Sequence, residues 1–340
     1  MNFYTLTFKQ RVITALLSIV VLIIALNIVL SLFIDIKTTK NSFINEKYSK
    51  IKHFNLNNPK NKDIIFIGSS KTFFHISTNL FKEKNIDIYN MGISGVFFTD
   101  YPTLVDAVLD AKPKRVVISL GIERLYNELF ISKYPSIEEI SIYYGINKGK
   151  FIQSLYRWLI NRNTFLVHSE PIFLRIKTLY SKFEIEKDFK KFKSKKSINY
   201  STLAKCKVFD IKRTNSKHAM LKCSNGDGVL VGHYIKKLEY KSPKPLNKES
   251  ILYLKATIKM LQSHNIETTI IFEPQLKNNL KYNINDIYRE FAGVDIIDLT
   301  NFPIQEKFWA DNKHLNYKGR EIYSDYLSTL FMPIGDNNNK

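Results

Sequence analysis

The sequence predicts a three-layer α/β/α domain built on a parallel β-sheet. Short apolar runs rich in β-branched residues alternate with helix-length segments, which is the pattern of βαβ units. Several of these runs end in glycine or serine, as expected where a ligand site lies at the carboxyl ends of parallel strands. The 340 residues are 44% hydrophobic, which is enough for a packed core and excludes a wholly disordered chain.

Five runs are predicted as strands of this sheet, namely 63–67, 86–90, 115–120, 267–273 and 294–299. Three segments are predicted as helices that flank it, namely 99–111, 248–264 and 317–331. In the second of these helices the apolar residues recur at helical spacing. Together these elements predict one domain over residues 61–335.

A large insertion is predicted at about 125–245, because the chain between the third and fourth strands is too long for one crossover. It holds the most basic stretch, 171–222, in a chain of formal net charge +20. A solvated lysine-rich surface is the first interpretation, and a patch for anionic lipid headgroups or an anionic polymer is the second. Cys206 and Cys223 flank a predicted hairpin, where they could be bridged or remain free thiols.

The N-terminal region contains an uncharged apolar run at 12–34. About 20 apolar residues suffice to cross a bilayer as a helix, so this run is predicted as a transmembrane anchor. A cleaved signal peptide is the alternative, but its apolar core would be shorter, at about 7–15 residues. Residues 1–11 are then a cytoplasmic tail, and the polar segment 35–60 is a stalk. The Lys/Arg count alone favours a cytoplasmic C-terminal side, a rule that is weak for large trailing domains.

Three segments carry the candidate chemistry. Gly68-Ser69-Ser70 follows the first predicted strand, Asn90-Met91-Gly92-Ile93-Ser94-Gly95 follows the second, and Asp311-Asn312-Lys313-His314 precedes the last helix. A serine in a sharp turn after a strand is exposed, and helix-start N–H groups can stabilise an oxyanion. An aspartate three residues before a histidine can orient the imidazole to take a proton from that serine.

These segments resemble those of the SGNH (GDSL-like) hydrolase superfamily, in the same order along 61–335. The resemblance implies a flavodoxin-like sheet and a serine nucleophile, here Ser70, with Ser69 as second choice. It also implies Asp311 and His314 as orienter and base. The oxyanion donors would be the N–H groups of Gly95 and of Ser70 itself.

The third family segment normally supplies an asparagine to the oxyanion, but Gly121-Ile122-Glu123-Arg124 stands there. An ionised glutamate cannot donate a hydrogen bond. Membrane-anchored relatives that serve teichoic-acid D-alanylation or exopolysaccharide O-acetylation also lack this asparagine. The resemblance to that branch implies an extracytoplasmic domain on a bacterial cytoplasmic membrane, and a membrane-bound O-acyltransferase as acyl-supplying partner. Ser69, Gly92, Glu123 and Trp309 are candidate site-lining residues.

The leading hypothesis is a membrane-anchored serine enzyme that transfers or hydrolyses O-acyl esters, acetyl first, on an envelope polysaccharide. The alternative is a catalytically degenerate domain that binds the glycan or acts as a scaffold. No cofactor is expected, and no metal site, because the histidines other than His314 lack ligand spacing and two cysteines exclude a four-cysteine zinc site. Nucleic acid is not an expected partner, because no nucleic-acid-binding module is recognisable.

Overall fold

The computed structural model describes residues 7–33, 46–56, 60–162, 200–213, 219–236, 245–276 and 282–332. Its strands are β1 (Ile64–Gly68), β2 (Ile88–Asn90), β3 (Arg115–Leu120), β4 (Val208–Arg213), β5 (Ala219–Cys223), β6 (Gly228–Val231), β7 (Glu267–Phe272) and β8 (Asp295–Asp298).

The described helices are α1 (Phe8–Phe33), α2 (Glu46–Leu56), α3 (Ser70–His75), α4 (Thr78–Glu83), α5 (Tyr101–Leu109), α6 (Ile137–Ile146), α7 (Lys148–Arg162), α8 (Tyr200–Ala204), α9 (Lys248–Gln262), α10 (Ile284–Glu290) and α11 (Tyr317–Leu330). Short 3-10 helices lie at Phe98–Asp100, Ile122–Leu125 and Glu306–Phe308.

The central sheet is parallel throughout, with the strand order β2-β1-β3-β7-β8. This is the flavodoxin-like order 2-1-3-4-5, in which ligands bind beyond the carboxyl ends of the strands. All five strands predicted from the sequence are present in this sheet, and the predicted parallel α/β architecture is therefore confirmed.

Helices cover both faces of the sheet, because successive strand residues point to opposite sides. On one face Ile65 belongs to a fully buried cluster with Leu104 of α5 and Leu254 of α9. On the other face Phe66 packs edge-on against Phe81 of α4, with ring centroids 5.4 Å apart, in a cluster that includes residues of α11. The sheet and its two helical layers form the predicted three-layer arrangement.

The insertion between β3 and β7 contributes α6, α7, α8 and an antiparallel sheet of order β4-β5-β6. A disulfide joins Cys206 to Cys223, which decides between the two states left open by the sequence. The small sheet packs on the main domain through Met220 and Leu230, which cluster with Phe73 of α3. Much of the basic stretch 171–222 lies outside the described residues, and with it the proposed anionic patch.

Helix α2, which lies within the predicted stalk, packs on the main domain. Its Phe54 is 1% exposed in the core of the main domain, and its Lys47 is 4% exposed. The Lys47 ammonium donates to Asp100 at 3.1 Å and to Glu139 at 2.6 Å. The part of the predicted stalk at 46–56 therefore packs on the domain.

Helix α1 covers most of the run predicted as a membrane span. Its side chains are described at 7–22 and at 25, and apolar ones such as Leu16, Leu17 and Val21 are exposed. Within the described part of the chain, no helix is both long enough and apolar enough to cross a membrane.

Candidate active site

Ser70 lies just beyond the carboxyl end of β1, next to the central strand β3, as the first residue of α3. Gly68 ends the strand, and a Cβ there would lie 2.6 Å from the Ser119 carbonyl oxygen of β3. Only glycine therefore lets the two strands and the α3 turn approach so closely. Ser70 is partly exposed, and its N–H has no partner in the preceding turn because it is the first residue of the helix.

His314 faces Ser70 across the site. The Nε2 atom of His314 lies 2.8 Å from the Ser70 hydroxyl, and its Nδ1 atom lies 2.9 Å from Asp311 Oδ2. Since Nδ1 contacts a carboxylate, it carries the proton, and Nε2 is left to accept from the serine. The three side chains that the sequence predicted as nucleophile, base and orienter are thus brought together.

Asp311 is held by a tight turn between Trp309 and Leu315. Its Oδ1 accepts the backbone N–H groups of Lys313 at 2.7 Å and of His314 at 2.9 Å. Burial favours the neutral acid, but the hydrogen bond and charge of His314 and these N–H groups lower the pKa of Asp311 to about 2. Asp311 therefore stays ionised at neutral pH and holds the imidazole in one tautomer.

The segment after β2 that contains Gly92 and Gly95 is hydrogen-bonded to the turn that carries Ser70. The N–H of Ile93 donates to the Gly68 carbonyl at 3.1 Å. Asn90 accepts the N–H of Gly92 at 2.8 Å and donates to the Thr72 carbonyl of α3 at 2.8 Å. Gly92 is buried under this bond, whereas Gly95 is exposed at a left-handed φ of 90°, where glycine is favoured.

Glu123 follows β3, at the position where the family resemblance implies an asparagine. Its Oε2 accepts the side-chain amide of Gln275 at 3.1 Å. Burial opposes the charged form, but nearby basic groups, of which Lys71 contributes most, lower the pKa of Glu123. Glu123 is therefore ionised and cannot donate a hydrogen bond to an oxyanion.

The contacts of Lys71 and Ser69 are with groups other than the Ser70 hydroxyl and His314. Lys71 is 8% exposed, and its ammonium lies 3.5 Å from the Pro274 carbonyl oxygen. Ser69 interacts with the Tyr101 hydroxyl, in the layer below the turn. Trp309, a candidate site-lining residue, is 1% exposed and packs edge-on against His75, with ring centroids 6.2 Å apart.

A second histidine–carboxylate pair, which was not predicted from the sequence, lies beneath the first. Fully buried His75 contacts Glu273 through Nδ1 at 2.9 Å, and the Ser119 hydroxyl donates to the same carboxylate. The Nε2 atom of His75 accepts the N–H of Leu315 at 3.1 Å. Burial lowers the pKa of His75, in keeping with a neutral ring that accepts this hydrogen bond. The only sequence signal was a histidine five residues after Ser70 on the same helix.

No group of three His, Cys, Asp or Glu side chains in the described ranges is placed to hold a metal ion. The grouping of Ser70, His314 and Asp311 can carry out proton transfer and nucleophilic attack with its own side chains.

Comparisons with known proteins give low similarities. No protein-family model matches the sequence, and no curated protein matches it either. One similar solved structure is described as a "putative lipolytic protein of G-D-S-L family from Desulfitobacterium hafniense DCB-2"; it has 11% identity and a TM-score of 0.36, covering 79% of this chain and 99% of that one. Another, a "possible lipase from Chitinophaga pinensis DSM 2588", has 12% identity and a TM-score of 0.25, covering 79% of this chain and 96% of that one. Likenesses at this level carry no argument about the chemistry of the site.

Proposed function

We propose that this protein is a serine esterase or O-acyltransferase in which Ser70 is the nucleophile. One observation carries the proposal: the Ser70 hydroxyl lies 2.8 Å from His314 Nε2 while Asp311 holds the other nitrogen of the ring. An activated serine needs a base within hydrogen-bonding distance and a third group that orients the base. Both conditions are met at the carboxyl end of a parallel sheet, where ligands bind.

In the first step His314 Nε2 takes the hydroxyl proton while Ser70 Oγ bonds to the carbonyl carbon of an acyl ester. The tetrahedral oxyanion collapses, the C–O bond to the alcohol breaks, and that alcohol leaves with the proton from His314. The acyl-serine then accepts attack by a second hydroxyl, whose proton passes through His314 back to Ser70 Oγ. Water as the second nucleophile gives hydrolysis, and a sugar hydroxyl gives transfer.

The oxyanion would be stabilised by the backbone N–H groups of Ser70 and Gly95. Ser70 contributes as the first residue of α3, whose N–H is free of the helix ladder. Gly95 is the residue that the family resemblance assigns to this role. Losing one oxyanion donor typically slows turnover about 100- to 1000-fold, so Glu123 in place of an asparagine implies a slow enzyme.

The substrate class in this proposal is an O-acylated polysaccharide of the cell envelope, with acetyl as the acyl group. It is supported by the family resemblance stated for the sequence and by the apolar run at 12–34, which favours attachment to a membrane. An extracytoplasmic domain beside a membrane-bound O-acyltransferase would receive acyl groups from it. Sedimentation of the full chain with membranes after alkaline washing tests this attachment.

A second candidate function is a non-catalytic glycan-binding or scaffold domain. Ionised Glu123 at the expected donor position favours it, because it leaves the oxyanion site short of one hydrogen bond. In that case the geometry of Ser70 and His314 would serve only to shape the surface.

Labelling with a fluorophosphonate distinguishes the two functions, because the reagent modifies activated serines without needing the acceptor. The full chain should be labelled, and Ser70→Ala and His314→Ala should not. Ser69→Ala is the matched control and should still react. A folded wild-type protein that resists labelling would exclude the enzyme and leave the binding function.

A further inference from the structure

Two phenylalanine rings lie exposed side by side at the edge of the candidate site. Phe97 is 37% exposed and Phe130 is 52% exposed. Their ring centroids are 5.2 Å apart, with 30° between the ring planes. Large apolar rings normally lie inside a protein, so a paired exposed platform indicates a surface that contacts a ligand.

The platform adjoins the groups that would react. Phe97 follows Gly95, the candidate oxyanion donor, by two residues, which span at most about 7 Å. This segment is bonded to the nucleophile turn through Ile93 and Gly68 at 3.1 Å. A polymer bound to the rings would therefore continue directly into the site at Ser70.

A positive charge lies on the same platform. The guanidinium carbon of Arg124 is 5.1 Å from the centroid of the Phe97 ring. The positive charge of Arg124 also opposes the rise that burial causes in the pKa of Tyr101, whose hydroxyl interacts with Ser69. Among the described residues Arg124 forms no salt bridge, although its charge acts on neighbouring Glu123, and the N–H groups at the edge of its guanidinium can pair with an anion.

We propose that Phe97, Phe130 and Arg124 form the acceptor subsite, and that it binds an acidic sugar residue of the polymer. The inference rests on the proposed function and names its substrate class. The C–H face of a pyranose ring packs against an aromatic ring, whose face is electron-rich. The carboxylate or phosphate of the same sugar pairs with the guanidinium, which binds such groups through two parallel hydrogen bonds.

Two basic side chains lie at the entrance to the site. Exposed Lys313 lies next to His314, and Arg124 follows Glu123. The two acids beside these cations are already engaged, Glu123 by the Gln275 amide and Asp311 by His314. A neutral glycan or a lipid chain would use only the rings, whereas an acidic sugar uses both the rings and the guanidinium.

Calorimetric titration of the full chain tests the subsite. The carboxylate probe is an oligogalacturonate, its neutral match is the methyl ester of the same oligomer, and the phosphate probe is a phosphorylated mannan. We expect at least one acidic probe to bind at least 10-fold tighter than the methyl ester. Arg124→Gln and the double variant Phe97→Ala/Phe130→Ala should each weaken that binding at least 10-fold.

Matched controls lie on α10, away from the site. Tyr288 is 42% exposed, and Arg289 pairs with Asp286. Tyr288→Ala and Arg289→Gln should leave the dissociation constant unchanged. Equal affinity of the acid and its methyl ester, undiminished binding by the platform variants, or no binding of either acidic probe would overturn the proposal.

Labelling of the wild-type chain separates this proposal from the proposed enzyme. Platform-dependent binding without fluorophosphonate labelling would keep the acidic-sugar subsite and remove the catalytic function. Labelling of Ser70 without platform-dependent binding would keep the enzyme and remove the subsite.

Discussion

His75 accepts the backbone N–H of Leu315 through Nε2, at a distance of 3.1 Å. Leu315 directly follows His314, the histidine that faces Ser70. The other nitrogen of His75 is fixed by Glu273, which is itself hydrogen-bonded to Ser119 of the central sheet. The sheet therefore holds the loop of the candidate base through a buried histidine that cannot itself reach a substrate.

Two substitutions of His75 separate its two contacts. In His75→Gln the amide oxygen can replace Nε2 as acceptor for the Leu315 N–H, whereas in His75→Asn the shorter amide can replace only Nδ1. We expect His75→Asn to lower the rate of fluorophosphonate labelling about 100-fold, as an ångström-scale shift of a catalytic group does. His75→Gln should retain most of the rate.

Thermal unfolding of both variants provides the control. A merely structural role would lower stability and labelling in parallel in the two proteins. Equal labelling rates in His75→Asn and His75→Gln would contradict a positioning role for the bond to Leu315.

Acid should destabilise the protein through His75 below pH 6.5, the ordinary pKa of histidine. Burial lowers the pKa of His75 in the folded state, with the charges of His314 and Lys71 adding to the effect and Glu273 opposing it. On acidification the unfolded chain thus binds the proton first, and stability falls as pH falls from 6.5 towards the lowered folded value. Denaturant unfolding between pH 6.5 and 4.5 measures this slope.

His75→Gln should flatten that slope, since glutamine does not titrate. A remaining slope is expected from His53, whose pKa is also lowered by burial. An unchanged slope in His75→Gln would show that His75 is not held neutral.

Reduction of the Cys206–Cys223 disulfide should destabilise the small antiparallel sheet. The two cysteines are 17 residues apart, and closing a loop of this size contributes about 3 kcal/mol. Because Met220 and Leu230 of this sheet pack on Phe73 of α3, labelling of Ser70 should also slow. Unfolding with and without dithiothreitol measures the effect, and Cys206→Ser/Cys223→Ser should show no response to the reductant.

Glu123→Asn should increase the activity of the site. The change removes a charged side chain that cannot donate and supplies an amide that can, at the position of the missing oxyanion donor. One added donor is expected to raise the labelling rate by up to about 100-fold. Glu123→Gln also removes the charge but places its amide one carbon further out, and should gain less. A decrease in both variants would mean that Glu123 supports the site through its bond to Gln275.

The sequence was sufficient for the parallel sheet and for the grouping of Ser70, Asp311 and His314. The segments that carry these three residues could be recognised locally, because each lies beside a β-branched run or at the start of a helix. Parallel strands bring their carboxyl ends, and so these segments, to the same edge of the sheet. The second pair, His75 and Glu273, carries no such local signal. His75 and Glu273 are separated by 198 positions and meet only because β1 and β7 both pair in register with β3, which lies between them.

The packing of α2 was missed for a related reason. A lysine- and asparagine-rich segment indicates a solvated linker, and nothing local shows that Lys47 is neutralised by Glu139 and Asp100 from distant elements. Only the folded insertion, which carries Glu139 on α6, creates that partner.

The central claim is that Ser70 becomes acylated. The most direct measurement is to react the full chain with p-nitrophenyl acetate, quench in acid and locate the acetyl group by peptide mass spectrometry. We predict acetyl on Ser70 in the wild type and its loss in His314→Ala. Release of nitrophenol that continues undiminished in Ser70→Ala, or acetyl found on Ser69 or Lys71 instead of Ser70, would contradict this account.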